Sequence, residues 1–376
     1  MEKIILAFLC FTLIIQAEEQ NEINVKATPD FQSIVQKTVT TYSKEMNNTA
    51  VLLLIEKQGK TYKASAGLAD RVQKRSIKTD ALFEIGSATK VFTGIAIFQL
   101  IESEKLSLDT KLNALYKKGE IRQLANFKGK SYWDDVTIQM LLEHTSGFID
   151  YLNIYGNDNK AIKLLGGRDK HFTFNQLIAD AVGFGDANFK PGEKYKYSNT
   201  GYVILGDIIS KVSGMDWHDY MQKNILDKVG MKNTYFGTRK TKKLREKMPR
   251  GYMHFKEVYM APSLATSAGE IISNLDDLAL LMKAWSTGKL YTKPDTLTIQ
   301  LTKGFHKQSE SIVNLTYGNA IMQISGFYGH GGQTFGFQSY MTINPKSGDM
   351  YIVGINDSSV GSMELFMLLS GIRLKR

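Results

Sequence analysis

The chain has 376 residues, more than one hydrophobic core usually supports, and its 43% apolar and 22% charged composition is that of a globular protein. It carries a net charge of +10, six histidines and a single cysteine, Cys10. These features exclude a disulfide framework, a cysteine-based metal site and a repeat or disordered architecture. Basic residues cluster at Lys117–Lys118 and Arg239–Lys247, but no aromatic-interleaved basic motif accompanies them. They read as solvated faces rather than a nucleic-acid surface, which leaves contact with an anionic cell envelope open.

Residues 1–17 read as a signal peptide. Lys3 precedes an apolar run from Ile4 to Ile15, too short to span a bilayer, and Ala17 is a plausible cleavage point. The expected location is periplasmic or secreted. A polar leader, 18–29, follows. Helical spacing then begins at Phe31, Ile34, Val35, Val39, Tyr42 and Met46, with Asp30 as a cap. Ala50–Glu56 reads as a buried strand and Lys60–Ala66 as its returning partner. Phe83–Leu106 is apolar on nearly every side and predicts a helix buried in the core. Ser87 and Lys90 stand at its N-terminal mouth, three residues apart and so on one face.

From about Thr110 the pattern changes to short helices separated by glycine and lysine loops. Thr137–Glu143, a helix opened by the Thr173–Gln176 capping box, Gly201–Ser213 and Asp216–Val229 make an all-helical insertion over 111–254. Strand patterns then resume. Asn274 caps a helix with Leu278, Leu281, Met282 and Trp285 on one face. Tyr317–Ile324 reads as a strand, Gln338–Asn344 and Met350–Asn356 as a hairpin, and 362–374 as a closing helix. The fold class is therefore α/β: a discontinuous domain, 30–110 and 255–376, with an antiparallel sheet flanked by helices and a helical domain inserted. A cleft between the two parts is the default site.

No Gly-x-Ser-x-Gly, His-Glu-x-x-His, P-loop or strand-borne Gly-x-Gly-x-x-Gly occurs, so those hydrolase, metal and nucleotide signatures are absent. Ser-x-x-Lys alone says little. It recurs at Ser286–Lys289, where Gly288 marks a turn, and Tyr-x-Asn recurs at Tyr151, Tyr155, Tyr197 and Tyr317. The plain alternatives are a capping Ser87 beside a snorkelling Lys90, and Tyr197 and Asn199 as turn residues.

Context and order raise the signal. The segments FEIGSATKVFTGIAIFQLIE, TIQMLLEHTSGF, FKPGEKYKYSNTGYVILGDII and GHGGQTFGFQS resemble the serine β-lactamase family of the class C type. That family includes D-alanyl-D-alanine carboxypeptidases and esterases. The resemblance runs from about residue 30 to the C-terminus and implies a β-lactamase/transpeptidase-like fold. It selects Tyr197-Ser198-Asn199 among the Tyr-x-Asn triplets and places the family's third element at His330-Gly331-Gly332. It implies Ser87 as nucleophile and Lys90 and Tyr197 as the groups that activate it, with the labour between them undivided. Asn199 would hold substrate and Lys90. The oxyanion donors would be the backbone N–H groups of Ser87 and Gln333, with Gly332 letting the strand approach. β-Lactamases usually begin the third element with lysine. His330, mostly neutral at pH 7, is a weaker anchor for a substrate carboxylate and lowers the expectation of β-lactam hydrolysis. His144 reads as a structural residue at a helix end.

The expected activity is a cofactor-free, metal-free serine hydrolase that forms an acyl-enzyme with D-amino-acid peptides or related amides. The alternative is a short-chain carboxylesterase. A reading of another class is a non-catalytic protein that binds acyl ligands or assists envelope assembly. The expected partner is a small-molecule or peptide substrate with an acyl group, not nucleic acid. Oligomeric state is not encoded in these features.

Overall fold

The computed structural model describes residues 31–152, 171–239, 242–307 and 315–372. The signal peptide, the polar leader, Asp30 and the Tyr155 triplet lie outside them.

Helix α1 (Phe31–Glu45) leads into strands β1 (Val51–Lys57) and β2 (Lys60–Ala66). The short strand β3 (Phe83–Glu84) precedes helix α2 (Thr89–Glu102). Helices α3 (Ile138–Leu142), α4 (Phe174–Gly183) and α5 (Asn199–Ser213) follow, then strands β4 (Tyr235–Phe236) and β5 (Ile271–Ser273) and helix α6 (Leu275–Ser286). Strands β6 (His306–Lys307), β7 (Thr316–Gly318), β8 (Ile321–Ile324), β9 (Phe327–Gln333), β10 (Gln338–Ile343) and β11 (Met350–Ile355) complete the sheet, and α7 (Ser362–Ser370) closes the described chain.

The main sheet has eight strands in the order β6-β7-β8-β9-β10-β11-β1-β2, every neighbouring pair antiparallel. The N-terminal hairpin joins the C-terminal strands through Val51 opposite Ile355, which makes the α/β part discontinuous in sequence. Alternation explains the unbroken apolar run of β1. Val51, Leu53 and Ile55 pack with Val35 and Val39 of α1 and Leu365 and Phe366 of α7. Leu52 and Leu54 belong to the core on the other face, with residues of α2 and α6. A strand covered on both faces needs apolar residues at both parities. That second core is continuous from the sheet into 111–254, through Leu141, Leu142 and Ile204.

Two sequence expectations change. Tyr317–Ile324 is two strands, β7 and β8, joined at Asn319 and Ala320 with φ of +50° and +70°. A two-residue hairpin turn of type I′ needs left-handed backbone at both positions. Alanine at the second, where glycine is usual, hid the turn. The helix read over Asp216–Val229 is broken: Trp217–Met221 and Asp227–Val229 flank a π-helical stretch, Gln222–Leu226. The caps at Thr173 and Asn274 form as read, and Thr137 caps its helix as well, each side chain accepting a backbone N–H of its first turn.

A second, three-stranded sheet sets up the site. β3 and β4 both pair with β5, and Ile85 N–H extends the pairing to the Ile271 carbonyl at 3.0 Å. The chain is thereby held straight up to Gly86, where a 3₁₀ turn (Gly86–Ala88) delivers Ser87 to the mouth of α2. From Thr89 to Leu100 every residue of α2 is buried.

Strand β9 meets this turn backbone to backbone. A Cβ on Gly332 would lie 1.8 Å from the Ile85 carbonyl oxygen, and one on Gly86 2.6 Å from the Gln333 nitrogen. Neither contact is possible for a real side chain, so both glycines are required by close approach. Gly332→Ala is expected to destabilise the fold by about 1–3 kcal/mol, read by urea denaturation. A midpoint equal to that of the parent chain would mean that β9 and the turn are not so closely apposed.

Candidate active site

Lys90 lies in the first turn of α2 and is fully buried. Its Nζ is 3.1 Å from Ser87 Oγ, 2.7 Å from Asn199 Oδ1 and 2.8 Å from the Ala268 carbonyl. The rings of Tyr197 and Tyr202 flank it, with Nζ 4.9 and 5.2 Å from their centroids. Burial disfavours its charged form and pushes its pKa down to about 7, while the Asp150 carboxylate pulls in the opposite direction. A neutral amine has two N–H groups and one lone pair. The Asn199 and Ala268 oxygens can only accept, so the lone pair is left for the Ser87 hydroxyl.

Asn199 opens α5, and its amide is fixed at both ends. Oδ1 accepts from Lys90, while Nδ2 donates to Asp150 Oδ2 at 2.8 Å. Asp150 is itself buried, and its Oδ1 accepts the Leu152 N–H at 3.0 Å. Burial raises the pKa of Asp150, opposed by Leu152, Lys90 and Asn199.

Tyr197 is partly open at its ring and buried at its hydroxyl. Among the described residues, no group meets hydrogen-bond geometry with that hydroxyl. Ser87 is near enough to favour its ionised form, yet burial outweighs this and holds the phenol well above its usual range. Tyr197 is therefore a protonated donor with an unfilled partner position beside Ser87.

The loop after α3 braces this triplet. His144, at φ +60°, accepts the Ser198 N–H on Nδ1 at 3.1 Å, and its ring centroid is 4.1 Å from that of Tyr197. Burial, then the charges of Lys90 and His330, hold His144 well below the usual imidazole range, so it is neutral. Its reading as structural fits these contacts, although sequence gave no hint that it touches the site.

Gln333 approaches from β9. Thr334 N–H bonds to the Phe337 carbonyl, so Thr334 and Phe337 form a hydrogen-bonded pair and Gln333 opposite Gln338 does not. The Gln333 N–H therefore points away from β10, toward the edge where Gly86 lies. β8 covers only Phe327–Gly329 and leaves this edge open.

Ser87, Lys90, Tyr197, Asn199 and the backbone of Gly332–Gln333 thus converge on the mouth of α2. The His330 side chain does not join them, which departs from the sequence expectation. It is 1% exposed, turned inward, with Nε2 3.2 Å from the Tyr317 hydroxyl and Nδ1 against the Gly331 carbonyl. Burial, with the nearby Lys90 charge, lowers its pKa to about 3. Tyr317, which lies on a strand not adjacent to β9, supplied the inward partner that sequence could not reveal. Asp150 was missed altogether; its only sequence signal is its place three residues after the His144–Gly147 turn.

An eight-stranded antiparallel sheet flanked by helices, with a serine and a buried lysine at a helix mouth, defines the β-lactamase/transpeptidase-like fold. The chain belongs to the Beta-lactamase family, whose model matches residues 35–361. It is 32% identical over 204 residues to penicillin-binding protein 4* of Bacillus subtilis (strain 168), covering 54% of this chain and 41% of that one. The chain spans about half the length of such curated relatives. Among solved structures, a D-stereospecific amidohydrolase from Streptomyces sp. superposes with TM-score 0.76 at 24% identity, covering 90% of this chain and 98% of the other. D-amino acid amidase from Ochrobactrum anthropi gives 0.76 at 22% identity, with 92% and 100% coverage.

Because Lys90 has a lower pKa folded than unfolded, the unfolded chain binds more protons between about pH 7 and the ordinary lysine range. This lysine therefore costs most stability below pH 7, and the cost fades as pH rises. The stability of Lys90→Met relative to the parent is expected to fall by up to about 1.4 kcal/mol per pH unit over that window, in urea denaturation at stepped pH. A difference independent of pH would mean that Lys90 is charged in the fold.

Proposed function

We propose that this chain is an exported serine hydrolase that acts through an acyl-enzyme on amides or peptides of D-amino acids. The observation that carries this reading is the Lys90 amine, with two contacts to obligate acceptors and a third to Ser87 Oγ. Lys90 is the base and Tyr197 the protonated partner, because burial lowers the lysine toward neutrality and raises the phenol away from ionisation. Ser87 Oγ gives its proton to Lys90 and bonds to the acyl carbon. The N–H groups of Ser87 and Gln333 meet the oxyanion. The proton then passes by way of Lys90 and Tyr197 to the leaving nitrogen, and the C–N bond breaks. Water then gives a proton to the same pair and bonds to the acyl carbon; the C–Oγ bond breaks, the pair returns the proton to Ser87 Oγ, and the acid leaves. The proposed division into an α/β part, 30–110 with 255–376, and a helical part, 111–254, is supported by Ser87 and Gln333 coming from the first and Tyr197 and Asn199 from the second. The Lys3-led apolar run at Ile4–Ile15 supports export to the periplasm or exterior.

Substrate class rests on two supports. The structurally similar proteins include a D-stereospecific amidohydrolase and a D-amino acid amidase. His330 is neutral and turned inward, so it offers no cation to a substrate carboxylate. Amides of D-amino acids have no such carboxylate, whereas β-lactams and D-alanyl-D-alanine peptides do. The same observation keeps a short-chain ester as the second reading.

D-phenylalanine amide is expected to be hydrolysed at least about tenfold faster than its L-enantiomer and than nitrocefin, by chromatographic and absorbance assays, a factor worth about 1.4 kcal/mol. Faster p-nitrophenyl acetate turnover with no amide activity would select the esterase. Ser87→Ala should abolish every such activity and the fluorophosphonate mass adduct; an adduct that persists elsewhere would sink the mechanism. No adduct on the parent chain would favour the non-catalytic reading. The acylation rate should rise with pH through about 7 as Lys90 loses its proton.

A further inference from the structure

Asp150 is a buried carboxylate that the reaction above does not use. Its carboxylate and the backbone on either side of it are tied to the start of α5. Thr200 Oγ1, one residue after Asn199, donates to the Ile149 carbonyl at 2.7 Å and accepts the Tyr151 N–H at 3.1 Å. The residues on either side of Asp150 are thus keyed to the residue beside Asn199. Between them, Asp150 Oδ2 takes the Asn199 Nδ2 hydrogen.

An asparagine amide has two nearly isosteric orientations. With Asp150 ionised, only one fits: Nδ2 toward the carboxylate and Oδ1 toward Lys90. The reverse would set oxygen against carboxylate and N–H against the lysine N–H groups. We infer that Asp150 is a positioning residue for the Lys90 base, holding the Asn199 amide in the orientation that aims the Lys90 lone pair at Ser87 and balancing the charge Lys90 gains when Ser87 is deprotonated. The inference rests on the reading of Ser87 and Lys90 given above.

The groups facing Lys90 are few. They are Ser87 from its own helix, Asn199 and the Tyr197 and Tyr202 rings from the α5 side, the Ala268 carbonyl, and His144, His330 and Asp150. Both histidines are held neutral by burial, and both tyrosines are held protonated. Among the described residues, Asp150 is the one carboxyl in this set. Its own neighbours are the Leu152 N–H, Asn199, Lys90 and, at longer range, the Tyr197 phenol.

The sign of the effect follows. An anion favours protonated Lys90, so its loss lowers the lysine pKa and moves the acid limb of the rate to lower pH. A brace without electrostatic influence would change rates and leave the limb in place. Asp150→Asn is therefore tested in the full chain with two probes, fluorophosphonate labelling of Ser87 by intact mass and p-nitrophenyl acetate turnover, across pH 5–9. Acylation is expected to slow about 10- to 100-fold at pH 8 with little change in KM. The acid limb is expected to shift down by about one pH unit. Parent-like rates with an unmoved limb overturn the inference, as does a slower rate with an unmoved limb. A parent chain that takes no label with either probe instead overturns the hydrolase reading on which the inference rests. Where Asp150→Asn does not melt cooperatively, Asp150→Glu carries the comparison. It keeps the charge and displaces it, so kcat should fall while the limb stays; a parent-like kcat overturns the inference.

Discussion

The buried amine of Lys90 is the constraint on which the rest of the structure turns. An ammonium in a dry interior is costly, and a bare amine there wastes its hydrogen bonds. The fold settles the conflict with two fixed oxygens, from Asn199 and Ala268, and one hydroxyl that can give as well as take. Each of those partners comes from a different part of the chain. The Ala268 carbonyl is offered by a loop pressed onto α2, where Thr93 Oγ1 donates to the Ser267 carbonyl at 2.6 Å. Asn199 is offered by the first turn of α5, and Ser87 by the turn that enters α2 itself.

Close approach does the remaining work. The turn at Gly86 and strand β9 touch through backbone atoms, which brings the Gln333 N–H to the serine without any side chain between. Around them the polar aromatic groups are kept uncharged by burial. Tyr202 donates to the Leu142 carbonyl at 2.8 Å and lies 3.0 Å from the Tyr317 hydroxyl, which in turn meets His330. This cluster packs the floor of the site and adds no fixed charge to it.

Much of this was legible in the sequence, and the reasons are local. The apolar run after Ser87 spelled out a buried helix, and the strands β1, β2, β10 and β11 followed from alternation and turn residues. The caps at Thr173 and Asn274 are short-range chemistry and could be read directly. What could not be read were partners distant in sequence. His330 looked like a cleft residue because nothing nearby predicts that Tyr317 will take its ring inward. Asp150 drew no reading at all, because its partner Asn199 is 49 residues away. The turn at Asn319-Ala320 was hidden because alanine occupies a left-handed position. In each case tertiary contact overrode the local signal.

The wide scatter of the site along the chain has a consequence of its own. The groups around Ser87 come from Lys90, Tyr197–Asn199, Ala268 and Gln333, with Asp150 behind Asn199, so the assembly exists only where segments far apart in sequence are packed together. Until they are, Lys90 is solvated, at its ordinary pKa and charged, and Ser87 is an ordinary alcohol. The lowered Lys90 pKa is therefore a property of the finished fold: a chain in which those segments lie apart lacks the burial that causes it.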